Sequence, residues 1–257
     1  MARLVEGGDA GRTPLVTASA GNHGRALAYA AHAAGIPLTV YVPINAPRTK
    51  IDAIRTLGAD LRTCADYDTA EAEAKAHGRD GRALFISPYS HPDIIAGAGT
   101  VGLEILEDST GVDTIVVPVG GGGLISGVAL AAEGAARDVA VIGVEVEASH
   151  PFTAGLAAGR IVEVDVQPTL ADGLAGNLDP DTMTFAIVSR LVRRIALVSE
   201  SDLATAIRGV VVLERLVAEG AGAAGVAAAL AGQLEGRSIA IVLSGGNIDG
   251  DTLKGLL

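Results

Sequence analysis

Four consecutive glycines, Gly120, Gly121, Gly122 and Gly123, stand between the apolar runs Ile115–Val119 and Leu124–Ile125. A glycine run at the end of a buried strand lets successive backbone N–H groups converge on one anion, because no side chain keeps the guest away. A helix opening just after it adds partial positive charge, so a phosphate is the natural guest. The alternative is a flexible loop with no ligand. Against it stands the backbone entropy lost in ordering four glycines inside a core segment.

A second candidate is Ser19-Ala20-Gly21-Asn22-His23-Gly24, directly after the first strand and before the first helix. Free backbone N–H groups there suit a small anion such as a carboxylate, and Asn22 adds an amide donor. An ordinary strand-to-helix turn would use the same residue types. His23 reads as a helix-start hydrogen-bonding group rather than as a base. A third candidate, Leu243-Ser244-Gly245-Gly246-Asn247, closes the last strand. Open α/β sheets bind ligands at that end, and the Ser244 hydroxyl can meet a neutral heteroaromatic nitrogen. A plain glycine-rich turn is the competing reading.

These segments must be held by strands that alternate with helices. Apolar runs predict strands at Leu15–Ala18, Leu38–Val42, Ala83–Ser87, Thr114–Val119, Val139–Val146, Ile195–Val198 and Ile239–Leu243. Several are continuous Val/Ile/Leu runs, as in parallel strands covered on both faces. A helix after Asn22 carries Leu27, Ala30, Ala31 and Ala34 on one stripe, a second runs from Pro47 to Gly58, and Ser199–Asp202 forms a capping box for another. No internal repeat is visible. The expected fold class is α/β, a two-lobed doubly wound architecture with two sheets.

Composition narrows the partners. The 257 residues are 49% hydrophobic, enough to bury a large core, and carry a net charge of −11 with no Lys/Arg run. Nucleic acid and anionic membrane surfaces are therefore excluded as expected partners. Cys64 is the one cysteine, which rules out an intrachain disulfide, and the N-terminal residues hold no apolar signal core. The uncharged stretch Thr114–Ala132 is interrupted by Pro118 and the glycines, so it is not expected to span a membrane. A cytoplasmic location follows as the expectation. Asp172 alone does not make a metal site.

In this order, the three segments resemble the fold-type II pyridoxal-phosphate enzymes, in the branch of threonine/serine dehydratases and serine racemases. Further matches are Pro43 with Lys50 and Leu57-Gly58-Ala59-Asp60, Ser87-Pro88-Tyr89, Gly97-Ala98-Gly99-Thr100, Thr169–Ala175, and Glu219 with Gly222-Ala223-Ala224. The resemblance runs from about Leu15 to the C-terminus. It implies that Gly120–Gly123 and the Leu124 N–H hold the phosphate of pyridoxal 5'-phosphate. Asn22 would bond the ring hydroxyl, Ser244 would face the pyridine nitrogen, and Glu219 would lie on the cofactor side. Ser19, Ala20, Gly21, Asn22 and His23 would grip the substrate carboxylate. Racemases of this branch place a serine where Ala20 stands, so the resemblance favours dehydration and deamination of L-threonine or L-serine over racemisation.

One departure qualifies this. The family anchors its cofactor on a lysine in a Ser-Phe-Lys-like motif upstream of the Asn-containing turn. Here the lysines are Lys50, Lys75 and Lys254, none in such a motif. The catalytic lysine is thus absent from the sequence given. One reading is a chain that starts downstream of it, Met1–Arg12 resembling the segment that follows the motif. The other is a pseudoenzyme that binds cofactor or amino acid without turnover. The expected layout is a small lobe of residues 17–95 and a large lobe of 1–16 plus 96–257, the latter lacking its N-terminal part. The family implies a homodimer for the full-length form.

Overall fold

The computed structural model describes residues 13–46 and 48–257; the expectations placed on Met1–Arg12, and the helix start at Pro47, lie outside the described residues. Two compact units divide between Pro88 and Tyr89.

The first unit alternates strand and helix: β1 (Leu15–Ala18), α1 (Asn22–Ala34), β2 (Leu38–Pro43), α2 (Arg48–Thr56), β3 (Asp60–Cys64), α3 (Tyr67–Arg79) and β4 (Leu84–Phe85). All pairings are parallel, in the order β3-β2-β1-β4. β1 lies in the middle and is buried along its length, as the Leu-Val-Thr-Ala run predicts for an inner parallel strand. On α1 the buried residues are Gly24, Leu27, Ala28 and Ala31. The stripe therefore passes through Ala28, while Ala30 and Ala34 sit at its margin.

β3 has no counterpart among the sequence-predicted strands. Its Asp-Leu-Arg-Thr-Cys sequence is an edge strand that buries only Cys64. An edge strand needs no apolar run, and charged residues there discourage pairing with other chains. Hydrophobic periodicity cannot find it.

The second unit contains α4 (Pro92–Asp108), β5 (Thr114–Pro118), α5 (Gly123–Glu133), β6 (Ala140–Val146), α6 (Pro151–Ala158), α7 (Thr184–Leu191), β7 (Arg194–Val198), α8 (Glu200–Gly209), α9 (Gly220–Leu230), β8 (Ile239–Ile241) and α10 (Gly250–Leu256). Its parallel sheet has the order β7-β6-β5-β8. β5 and β6 are wholly buried. Ile115, Val117 and Val119 face one core and Val116 the other, so helices cover both sides. Ser199 and Asp202 form the expected capping box at the start of α8. No helix among the described residues is long and apolar enough to cross a membrane.

Both sheets share one topology. The first strand of each lies beside the second on one side and beside the fourth on the other. The connections diverge at that pair, leaving a crevice at the carboxyl ends of the strands, where open α/β sheets bind ligands.

Candidate functional site

In the second unit the glycine run leaves β5 at this crevice. Val119 N–H still bonds the Val144 carbonyl, 2.8 Å away. The next N–H groups, of Gly120, Gly121, Gly122, Gly123 and Leu124, meet no protein acceptor among the described residues; the ladder resumes with Ser126 N–H on the Gly122 carbonyl at 3.0 Å. Gly122 is the N-cap of α5 at φ +84°, a left-handed conformation that glycine adopts without strain. Consecutive donors thus stand open at a helix N-terminus, where no preceding turn supplies acceptors.

Protein packs tightly behind the loop. A Cβ on Gly121 would lie 2.3 Å from the Tyr89 ring, and one on Gly122 would lie 2.6 Å from Phe152 Cζ. The Tyr89 hydroxyl accepts from Asp179 N–H at 3.1 Å. The Thr184 hydroxyl donates to the Gly121 carbonyl at 2.8 Å. Carbonyls and Cα atoms are clamped, while the N–H groups are left over. In the first turn of α5 the fully buried Ser126 hydroxyl has no partner among the described residues. A row of preset amide donors at a helix N-terminus fits a phosphate, and so fits the phosphate-bearing end of pyridoxal 5'-phosphate.

Ser244 and Glu219 come to the same place. β8 runs parallel to β5 with Thr114 opposite Ile239 and Val116 opposite Ile241. That register carries Ser244 level with Val119, one residue before the glycines. Ser244 is exposed. Glu219, the buried N-cap of α9, donates its N–H to the Gly245 carbonyl at 3.0 Å. A Cβ on Gly222 would lie 2.4 Å from that carbonyl, so the small residues of α9 let the Ser244 loop settle on the helix.

In the first unit, Ser19–Gly24 occupies the matching crevice after β1. The turn folds on itself: Gly21 N–H bonds the Ser19 hydroxyl at 3.2 Å, and a Cβ on Gly24 would lie 2.1 Å from the Ser19 carbonyl oxygen. The N–H groups of Ala20, His23 and Gly24 meet no protein acceptor among the described residues. Asn22 opens α1 with an exposed side chain. His23 turns its ring back toward β1, where Nε2 lies 3.1 Å from the Thr17 hydroxyl. Burial lowers its pKa to about 4, against a smaller opposing pull from the Ile86 carbonyl, so the ring is neutral near pH 7.

Sequence reasoning assigned no role to Tyr89, Phe152, Thr184 or the fully buried Glu145. Tyr89, Phe152 and Thr184 reach the loop across many residues of chain, and Glu145 bonds the start of the helix that carries Phe152; no local pattern signals such contacts. Lys75 pairs with Glu71 and Lys254 with Asp251, each at 3.1 Å. No group of His, Cys, Asp and Glu among the described residues could hold a metal ion.

Comparison with known proteins follows the same lines. A family model described as "Pyridoxal-phosphate dependent enzyme" matches residues 1–245. The L-threonine ammonia-lyase of Thermotoga maritima is 45% identical over 238 residues, 91% of this chain and 59% of the relative. That of Geobacter sulfurreducens is 42% identical over 244 residues, 93% of this chain and 60% of the relative. Among solved structures, maize serine racemase superposes with a TM-score of 0.87 at 34% identity, covering 94% of this chain and 75% of that one. The chain thus spans about 60% of the length of the two ammonia-lyases.

Proposed function

Since the chain belongs to the pyridoxal-phosphate-dependent enzyme family, we propose that its site serves the deamination of L-threonine or L-serine to a 2-oxo acid and ammonia. One observation carries this reading: the row of N–H groups from Gly120 to Leu124, without protein acceptors among the described residues, at the N-terminus of α5.

In the proposed arrangement these amides and the helix N-terminus hold the phosphate of pyridoxal 5'-phosphate. Ser244 faces the pyridine nitrogen, Asn22 bonds the ring hydroxyl and Glu219 lines the cofactor side. Ser19, Ala20, Gly21, Asn22 and His23 hold the substrate carboxylate, largely through backbone amides. When bound, the cofactor supplies an electron sink for the pair left on Cα as its proton departs. A neutral Ser244 hydroxyl cannot keep the ring nitrogen protonated by charge pairing. The sink is tempered accordingly, which suits prompt loss of a β-hydroxyl better than a long-lived carbanion. Ala20 offers no proton to a second face of Cα, which argues against racemisation although a racemase is among the similar structures. A homodimer in the cytoplasm, acting on a small amino acid, completes the proposal.

A second reading rests on the lysines. Elimination needs a lysine that anchors the cofactor and moves the Cα proton. Lys75 and Lys254 are engaged in helical ion pairs, and Lys50 lies within α2. The sequence given would then bind cofactor reversibly without turnover. The protein, supplied with pyridoxal 5'-phosphate and L-threonine or L-serine, tests both readings. Equal amounts of 2-oxo acid and ammonia support the lyase. Reversible cofactor uptake with no product supports the binder, and D-amino acid as sole product overturns the elimination reading.

A further inference from the structure

The elimination reading makes no use of a carboxylate buried in the second sheet. Glu145, on β6, is fully buried. Its oxygens accept from Phe152 N–H at 2.8 Å, from Thr153 N–H at 2.8 Å and from the Thr153 hydroxyl at 2.7 Å. These are the first free donors of α6, whose N-cap residue His150 makes no side-chain cap bond. The helix is therefore capped from a neighbouring strand, and a negative charge there is favoured by the helix dipole. Burial raises the Glu145 pKa, opposed by these three bonds. A buried charge is a costly way to cap a helix that a local Ser or Asp could cap instead.

What the carboxylate holds in place is Phe152. That ring is fully buried and stacks on Phe185, with centroids 6.1 Å apart. Its Cζ lies where a Cβ on Gly122 would come within 2.6 Å, and Thr184 Cβ stands 3.0 Å from the same point. Gly122 is the loop residue at φ +84°. Its conformation sets the direction in which the Gly123 and Leu124 N–H groups leave the loop. Glu145, α6, Phe152 and Gly122 thus form one packed series that ends at the open donors.

We propose that Glu145 is a positioning residue for the phosphate cradle: by fixing the start of α6 it presses Phe152 against Gly122 and holds the left-handed turn whose N–H groups meet the phosphate. This rests on the phosphate reading of Gly120–Leu124. A residue that only stabilises the fold would shift the melting temperature and weaken all ligands alike. A positioning residue acts on the phosphate-bearing ligand alone.

Calorimetric titration with pyridoxamine 5'-phosphate and with pyridoxamine separates these, and neither probe forms adducts with lysine. The proteins are the wild type, Glu145→Ala, Glu145→Gln and Phe152→Leu. Glu145→Ala and Phe152→Leu are expected to lose about tenfold in affinity for the phosphate ester (about 1.4 kcal/mol), with pyridoxamine affinity held within about twofold. Glu145→Gln should recover most of the loss, since its amide oxygen still accepts from Phe152 N–H. If Glu145→Ala lacks a cooperative melt, Phe152→Leu decides, because it leaves the carboxylate and its bonds intact. Unchanged phosphate preference in the folded variants overturns the positioning role. A wild type with no phosphate preference overturns the cradle reading, and the positioning role with it.

Discussion

The Thr17 hydroxyl accepts from His23 and does not donate to it. Its oxygen lies 2.8 Å from the Ile86 carbonyl oxygen, which can only accept, and 3.1 Å from His23 Nε2. The single hydroxyl proton is committed to the carbonyl, so Nε2 must carry the ring proton. His23 is thereby fixed as the Nε2–H tautomer with a bare Nδ1. It cannot act as a general acid near neutrality.

Nitrogen-15 NMR of the ring checks this. One protonated and one unprotonated nitrogen are expected, assigned Nε2–H and Nδ1, with no titration until pH approaches about 4. Thr17→Val removes the acceptor and leaves the Ile86 carbonyl without its donor. It should destabilise the protein by about 1–3 kcal/mol in a denaturant melt.

The same histidine sets a pH dependence. Its pKa falls from 6.5 to about 4 on folding, so between those values the unfolded chain binds more protons. Stability from this group is full above pH 6.5, declines as pH falls through the window, and levels off below about 4. The decline should amount to at most about 3 kcal/mol. Thermal melts of wild type and His23→Asn across this range read it, the variant losing the His23 part of the slope.

Gly127 fixes α5 against α4. A Cβ there would lie 2.4 Å from the Ile95 carbonyl oxygen and 2.5 Å from Gly99 N. Neither can move without shifting α4, so Gly127→Ala should cost about 1–3 kcal/mol. Because α5 also carries the phosphate donors, phosphate affinity should fall with the melting temperature, both read on the purified variant.

Ser244 behaves oppositely. It is exposed, and no hydrogen bond to another of the described residues engages its hydroxyl. Ser244→Ala should change stability by less than about 0.5 kcal/mol while weakening cofactor binding. Equal stability with equal cofactor affinity would remove Ser244 from the site.

Much of this was legible in the sequence because it is local. The glycine run, the Asn-containing turn, the β1 and β5 runs and the Ser199–Asp202 box all act within a few residues of themselves. β3 was not legible, since its exposed edge needs no apolar pattern. The shared strand order of the two sheets was also hidden, because the two halves keep a topology without keeping residues. Tyr89, Glu145, Phe152 and Thr184 went unassigned for another reason. Tyr89, Phe152 and Thr184 pack on the loop from distant elements and Glu145 holds the helix of Phe152, and only tertiary structure brings a Phe ring beneath Gly122.

The most direct test of the central claim is an amide proton–nitrogen spectrum of the protein titrated with pyridoxamine 5'-phosphate and, separately, with pyridoxamine. The phosphate ester should shift the Gly120, Gly121, Gly122, Gly123 and Leu124 amides strongly downfield, and pyridoxamine should leave them nearly unmoved. Unmoved glycine amides under saturating phosphate ester, or shifts confined to other residues, would contradict the claim that this loop is a phosphate cradle.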